Sequence, residues 1–171
     1  MRNETLRHIA AGYVEKSFNE VCLSYLPGGK PVFEHEPLHL SLAHTEDHLI
    51  TAFARFDIGV DVEMTSRKVS IEAIARRYFQ PSEYSTLAHC SEMDRRTLFF
   101  RIWVRKEAVV KMTGEGLAEG LRKVSVDPTR EGWSVLRDKK PLFVKEVIPW
   151  PGTIGAIVAR RQFSVTVCPK L

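Results

Sequence analysis

The spacing of the apolar residues changes twice along this chain, and that change limits the folds the chain can adopt. Residues 4–17 have helical spacing. After a Pro-Gly-Gly turn at 27–29, the segments 38–42, 48–54 and 58–63 alternate as strands do. Further helices are predicted at 70–78, 82–88 and 94–112, and further strands at 124–126, 133–136, 142–147, 154–159 and 163–167. Because strands and helices are grouped, the sequence predicts an α+β fold with antiparallel pairing and not a repeating βαβ fold.

The overall composition is that of a globular domain. The chain has 171 residues, of which 44% are hydrophobic and 27% charged, and this balance excludes disordered and fibrous proteins. No apolar run approaches the roughly 18 residues of a membrane span, and residues 1–16 lack the apolar core of a secretion signal. The cysteines Cys22, Cys90 and Cys168 form no CxxC pair. These features predict a cytoplasmic protein without a membrane partner.

The net charge of +4 conceals an uneven distribution. Residues 34–63 contain seven carboxylates, one arginine and four of the six histidines. This segment therefore has a charge of −6, and the rest of the chain +10. The basic residues are dispersed and have no aromatic residues interleaved with them, so we expect no nucleic-acid partner. A basic surface would suit an acidic protein partner equally well.

Two carboxylates lie at alternate positions of the predicted strand 58–63. The apolar residues of this strand share one face, while Asp61 and Glu63 share the other. Two interpretations fit this pattern. The pair is either part of a solvent-exposed polar face, or it holds a hard cation such as Mg²⁺ or Mn²⁺, which prefers oxygen ligands.

A third carboxylate occurs on the predicted helix 94–112. Trp103, Glu107 and Lys111 are spaced by four residues and share one stripe of this helix. Lys106 lies about 100° around the axis from Glu107. One interpretation is an ordinary surface Glu–Lys pair. The other is a site in which Glu107 completes the strand's carboxylate pair around a divalent metal ion and the lysines meet an anionic substrate, as in phosphoryl transfer.

These elements resemble sequence motifs of one enzyme family, the 4'-phosphopantetheinyl transferases. The matching motifs are Gly59-Val60-Asp61-Val62-Glu63, Arg77-Tyr78-Phe79-x-x-x-Glu83, Trp103-x-x-Lys106-Glu107-Ala108-Val109-Val110-Lys111 and Gly114-x-Gly116-Leu117. Upstream, Gly29-Lys30-Pro31 and Ser41-Leu42-Ala43-His44-Thr45 resemble two motifs of the longer, surfactin-synthetase-activator (Sfp-like) class. The resemblance extends from about Arg7 to the C terminus. Motifs in this order are specific, although each one alone is weak.

The resemblance implies a fold of two similar α+β lobes, a pseudo-dimer with small antiparallel sheets. Its long helix would carry the Trp103-to-Lys111 motif. We expect a shortened N-terminal lobe at 1–57 and a C-terminal lobe with the metal and catalytic motifs at 58–171, packed as one unit. The shortened first lobe leads us to expect either a monomer or a weak homodimer.

The resemblance also implies an activity. Such enzymes transfer the 4'-phosphopantetheine group from coenzyme A to a serine of an acidic apo acyl or peptidyl carrier protein, in a Mg²⁺-dependent reaction that releases adenosine 3',5'-bisphosphate. These carrier proteins serve fatty acid, polyketide and nonribosomal peptide biosynthesis. The alternative is a catalytically weak or inactive member of the same fold that binds coenzyme A or a carrier protein.

Motif matching implies a role for individual residues. The implied ligands of Mg²⁺ or Mn²⁺ are Asp61, Glu63 and Glu107. The implied catalytic residues are Glu107, Lys111 and Asp61, with Glu107 taking the proton of the serine. The implied coenzyme A contacts are Lys30, His44, Thr45, Lys106 and Lys111.

Overall fold

The computed structural model describes residues 2–46, 48–127 and 134–168. Its helices are α1 (Arg2–Val14), α2 (Ile71–Tyr78), α3 (Pro81–His89), α4 (Glu92–Thr113) and α5 (Leu117–Arg122). Its strands are β1 (Cys22–Tyr25), β2 (Pro31–Glu34), β3 (His39–Thr45), β4 (His48–Ala54), β5 (Ile58–Met64), β6 (Val124–Asp127), β7 (Ser134–Arg137), β8 (Lys140–Val147) and β9 (Thr153–Ala159). The predicted α+β class is confirmed, with small antiparallel sheets and a long helix.

Within the described ranges, the strands form three antiparallel sheets. Two are hairpins, β1–β2 and β3–β4, and the third has five strands in the order β5-β9-β8-β7-β6. In this largest sheet β5 pairs with β9, and Asp61 lies opposite Ala156. Every residue of β9 is buried, because this strand has neighbours on both edges and α4 on one face.

The second edge of β5 is bound to β3 through side-chain hydroxyls. The Val60 N–H donates to Ser41 Oγ at 3.0 Å. Four residues further along both strands, the Met64 N–H donates to Thr45 Oγ1 at 3.1 Å. The equal step on the two strands means that they run in parallel. Both edges of β5 are therefore occupied, which fixes the strand that carries Asp61.

Apolar side chains of the described residues form three buried clusters. The largest packs α4 against the five-stranded sheet, and the second packs α1 against β2 and β3. The third contains Ala43 of β3, Val60 of β5 and Ile157 of β9. It therefore joins residues from both sides of the expected boundary at 57/58, and the division into two lobes stays a prediction.

Helix α4 is 22 residues long and has a well-formed start and end. At its start, the Ser91 hydroxyl accepts a hydrogen bond from the Asp94 N–H, the usual N-cap interaction. At its end, Gly114 adopts φ +72°, a left-handed conformation that suits a C-cap glycine. Within the described residues, no helix is both long and apolar enough to cross a membrane.

Some predicted elements differ from the structure. The strand predicted at 163–167 is wrong: this segment is irregular, and Val165 and Val167 are exposed. The neighbouring strand β9 already pairs on both edges and cannot accept another strand. β1 and β2 were not predicted, because four residues are too few for a periodic signal. Position 133 of the predicted strand 133–136 lies outside the described residues.

Candidate active site

One face of β5 lies directly against α4. Gly59, Asp61 and Glu63 share this face, because side chains alternate along a strand. A Cβ atom at position 59 would lie 1.8 Å from the carbonyl oxygen of Ala108 and 2.7 Å from the amide nitrogen of Met112. Only glycine leaves room for this approach, so Gly59 brings the helix backbone onto the strand and places the two carboxylates against the helix.

The spacings of the two elements explain which residues meet. Gly59 lies against Met112 and Asp61 pairs with Lys111, whereas Glu63 interacts with the side chain of Trp103. The two elements therefore run in opposite directions. A step of two residues along a strand is about 6.6 Å, and a step of four along a helix is about 6 Å. Positions 59, 61 and 63 of the strand consequently match the i, i+4 stripe of α4.

Asp61 is the most buried carboxylate of the site, with 4% of its surface exposed. Lys111 Nζ donates to its Oδ1 at 2.6 Å, whereas the buried Oδ2 atom has no hydrogen-bond partner among the described residues. Burial raises the pKa of Asp61 to about 7; Lys111 opposes this shift, and the negative charge of Glu107 adds to it. A buried oxygen without a partner is energetically costly, and a bound cation would relieve that cost.

Glu63 is also buried, with 7% of its surface exposed. Its carboxylate forms an ion pair with Arg67. Burial raises the pKa of Glu63, while the charge of Arg67 opposes the shift. Arg96 anchors the segment after β5 by donating to the carbonyl oxygens of Thr65 and Arg67. The interpretation of the two carboxylates as an exposed polar face is therefore wrong.

Glu107 faces the same cluster from α4 and is partly exposed. Burial raises its pKa; Lys111 opposes the shift, and the charge of Glu63 adds to it. The charges of Glu107 and Glu63 both act on Asp61, and the charge of Glu63 acts on Glu107, so the three carboxylates belong to one electrostatic cluster. Lys111 donates to Asp61, so its interaction reaches across to β5 and is not confined to a surface pair on its own helix.

The chemistry of these residues fits a hard divalent cation. All three side chains offer carboxylate oxygens, the ligands that Mg²⁺ and Mn²⁺ prefer, and Asp61 Oδ2 is a buried oxygen that lacks a partner in the part of the chain that the structure describes. Within the described ranges, no three acidic, histidine or cysteine side chains are already arranged as a complete ligand set. Lys111 and Arg67 instead balance the charges of Asp61 and Glu63, so a metal ion would replace these cations.

Lys30 lies in a cavity of about 350 Å³ beside the C-terminal end of α4. Its Nζ atom donates to the Met112 carbonyl oxygen at 2.5 Å. Burial lowers the pKa of Lys30, and the charge of Asp57 opposes the shift. His39 and Arg160 also line this cavity. A second group of polar side chains therefore lies near the start of β5, beside the last turn of α4, which also carries Lys111.

The other two upstream residues lie at the far end of β3. His44 is exposed and lies five residues, about 16 Å, from the His39 that lines the cavity. The structure thus does not bring Lys30 and His44 together at one point. Thr45 is buried, and its oxygen already accepts the Met64 N–H. Its hydroxyl hydrogen and one oxygen lone pair are left for a ligand, and its observed role is to bind β3 to β5.

Lys106 does not lie where the motif match implies. Its side chain has no exposed surface and forms a 2.8 Å ion pair with Glu83, which is also fully buried. Its ammonium group further donates to the Val124 carbonyl oxygen at 2.6 Å. A side chain enclosed in this way cannot contact coenzyme A, so the expected contact between Lys106 and coenzyme A is wrong. The physical reason is the 100° step from Glu107, which turns Lys106 away from β5 and towards α3 and β6.

Comparisons with known proteins agree with the motifs. Residues 57–168 match the model of the 4'-phosphopantetheinyl transferase superfamily. The 4'-phosphopantetheinyl transferase HetI of Nostoc sp. is 29% identical over 158 residues, which cover 89% of this chain and 66% of HetI. Sfp of Bacillus subtilis is 31% identical over 135 residues, covering 77% of this chain and 59% of Sfp. For psf-1 of Bacillus pumilus the identity is 29% over 133 residues, with coverages of 77% and 56%.

The chain spans between 56% and 66% of the length of these three relatives. The matched region of the family model contains both β5 and α4, and therefore the complete carboxylate cluster. With a matching family model over most of the sequence and Sfp-like relatives along it, the chain belongs to the 4'-phosphopantetheinyl transferase superfamily.

Proposed function

We propose that this protein transfers the 4'-phosphopantetheine group of coenzyme A to a serine of an acidic apo acyl or peptidyl carrier protein, releasing adenosine 3',5'-bisphosphate. One observation carries the proposal: Asp61, Glu63, Glu107 and Lys111 converge where β5 meets α4, in a chain of this superfamily. The named relatives HetI and Sfp are 4'-phosphopantetheinyl transferases.

Asp61, Glu63 and Glu107 are the proposed ligands of Mg²⁺ or Mn²⁺. When bound, the ion would polarise the pyrophosphate of coenzyme A and neutralise charge on the leaving group. Lys111 is 29% exposed at its side chain and donates to Asp61, which supports a proposed role in contacting phosphate oxygens once it leaves Asp61. Charge neutralisation of this kind supplies most of the catalysis in phosphoryl-type transfer.

Glu107 is the proposed general base. It is the partly exposed member of the cluster, so an incoming serine can reach it. A carboxylate positioned beside the serine hydroxyl can serve as a general base. The serine oxygen forms a bond to the phosphorus of the 4'-phosphopantetheine group. The bond from that phosphorus to the oxygen of adenosine 3',5'-bisphosphate breaks, and the serine proton passes to Glu107.

The test is a mass measurement on carrier proteins. We expect the full chain, given coenzyme A and Mg²⁺, to increase the mass of an apo carrier protein by one phosphopantetheinyl group, and chelation of the metal to stop the reaction. The test should include several acyl and peptidyl carrier proteins. A set without any mass change contradicts the proposed activity. Binding of coenzyme A without transfer would instead support the inactive, binding-only alternative.

Replacing Lys30 with Ala tests the coenzyme A contact. The half-buried ammonium group of Lys30 lies in the cavity beside α4. Loss of one charged hydrogen bond to a phosphate weakens binding about tenfold to hundredfold. We expect the KM for coenzyme A to rise about tenfold, with a smaller change in kcat. The matched control is Lys140→Ala, which removes an exposed lysine on β8. An unchanged KM in the Lys30 variant would remove this residue from the binding site.

A further inference from the structure

A fully buried ion pair lies on α4 immediately beside the candidate active site. Glu83 of α3 and Lys106 of α4 both have 0% of their side-chain surface exposed, and Lys106 Nζ lies 2.8 Å from Glu83 Oε2. The proposed transfer reaction uses neither side chain. Such a pair is costly to bury and is often no more stabilising than a well-packed apolar pair, so its presence calls for a further explanation.

The carboxylate of Glu83 connects three elements. Glu83 Oε1 accepts from Lys106 Nζ at 3.0 Å and from the Val126 N–H of β6 at 2.6 Å. Glu83 Oε2 accepts from the Gln80 N–H at the start of α3 at 2.7 Å. Lys106 adds a bond to the carbonyl oxygen of Val124 on β6. The two side chains therefore bind α3, α4 and β6 to one point through directional hydrogen bonds.

The Glu83–Lys106 pair contacts α4 one residue from Glu107. Lys106 precedes Glu107 and lies about 100° away around the helix axis, so a rotation of the helix that breaks the bonds of Lys106 also moves Glu107. Side-chain atoms lie about 5–6 Å from a helix axis, so a 20° rotation moves a carboxylate by about 2 Å. Misplacement of a catalytic group by about 1 Å can cost a hundredfold in rate.

We propose that Glu83 is a positioning residue: by holding Lys106, it fixes the rotation of α4 and keeps Glu107 in front of Asp61 and Glu63. This inference rests on the proposed function, because it assigns Glu83 to the same carboxylate cluster. An apolar pair would fill the same space without fixing an angle. The directional bonds of Glu83 to Lys106, Val126 and Gln80 define one rotation.

The experiment uses the full chain and three variants, Glu83→Gln, Lys106→Met and the double variant. Mn²⁺ is the probe: its dissociation constant and its stoichiometry are measured by electron paramagnetic resonance, beside kcat and the KM for coenzyme A. We expect Glu83→Gln to weaken Mn²⁺ binding about tenfold at unchanged stoichiometry. We also expect kcat to fall about 10- to 100-fold with little change in KM.

The double variant keeps the proposal testable if a single variant folds poorly. Removing one partner leaves a buried unpaired charge and should lower Tm by about 10 °C. Removing both charges should bring Tm most of the way back to the wild-type value. Because Gln and Met do not reproduce the directional bonds, Mn²⁺ affinity should stay about tenfold weaker in the double variant.

A second buried cation on α4 provides the matched control. Arg105 precedes Lys106, is also buried, and donates to Glu146 of β8 at 2.8 Å and to the carbonyl oxygen of Arg101. Glu146 is partly exposed, so water can replace it. We expect Glu146→Gln to leave the Mn²⁺ dissociation constant within about twofold of the wild-type value.

The possible outcomes distinguish the positioning role of Glu83 from the proposed transfer activity. A lower Mn²⁺ stoichiometry with an unchanged dissociation constant would mean that Glu83 only supports folding, and this overturns the positioning role. Wild-type affinity in the double variant would overturn it as well. Absence of both Mn²⁺ binding and transfer in the wild-type chain would overturn the proposed function itself, and the positioning role with it.

Discussion

Replacing Asp61 with Asn is expected to abolish transfer while making the metal-free protein more stable. Asn keeps the size of the side chain but removes a metal-binding charge worth several kcal/mol in the transition state, so the rate of transfer should fall about 1,000-fold or more. In the free protein the same charge is buried and its Oδ2 atom has no partner in the described structure. Its removal should therefore raise stability by about 1 kcal/mol, or 2–4 °C in Tm.

Mass spectrometry of the carrier protein and thermal unfolding with and without Mg²⁺ check both halves of this prediction. Lys111 loses its partner in the variant, but its side chain is 29% exposed and can turn to water. The control is Glu119→Gln on α5, where the side chain is 79% exposed; it should change neither quantity. Unchanged turnover in the Asp61 variant would refute the metal assignment.

Replacing Gly59 with Ala should have the largest effect on the fold. The added methyl group would lie 1.8 Å from the Ala108 carbonyl oxygen, so β5 and α4 must move apart. The clashing atoms of α4 belong to its backbone and cannot turn aside as a flexible side chain would. We expect a loss of more than about 3 kcal/mol in the free energy of unfolding. Any folded fraction should transfer poorly, because the same displacement separates Asp61 and Glu63 from Glu107.

Gly12→Ala is the matched control for this substitution. Gly12 lies within α1, and among the described residues a Cβ atom there would meet no atom within 4 Å apart from its chain neighbours and the adjacent backbone of α1. Alanine is the better helix former, so this variant should gain about 0.5–1 kcal/mol. Denaturant unfolding of both variants gives the comparison. Equal stability of the Gly59 and Gly12 variants would contradict the close packing of β5 on α4.

The sequence alone predicted the residues of the candidate site better than their surroundings. Alternation placed Asp61 and Glu63 on one face of a strand, and helical spacing placed Glu107 and Lys111 on one stripe. Neither pattern shows which face of the strand a second element covers. The sequence therefore left open whether Asp61 and Glu63 form an exposed polar face or a cation site. Gly59 indicates which face is covered, because a glycine on that face allows close packing. This can be inferred only when the helix that packs there is known.

Other contacts had no periodic signal. Arg67 follows β5 in an irregular segment, and its ion pair with Glu63 depends on how that segment turns. Lys106 adjoins Glu107 in sequence, and proximity along the chain led to a wrong expectation because a helix turns by about 100° per residue. Glu83 belonged to a recognised motif, yet nothing in its spacing pointed to Lys106, 23 positions later.

The hydroxyl contacts of Ser41 and Thr45 give β5 two unequal neighbours. Towards β9 the strand has a continuous ladder from Ile58 to Met64, whereas towards β3 it is held by two side-chain hydrogen bonds, each worth about 1 kcal/mol, and by one apolar cluster. Separating β5 from β3 would therefore break fewer hydrogen bonds than separating it from β9. The backbone that carries Asp61 and Glu63 is thus anchored mainly on its β9 side.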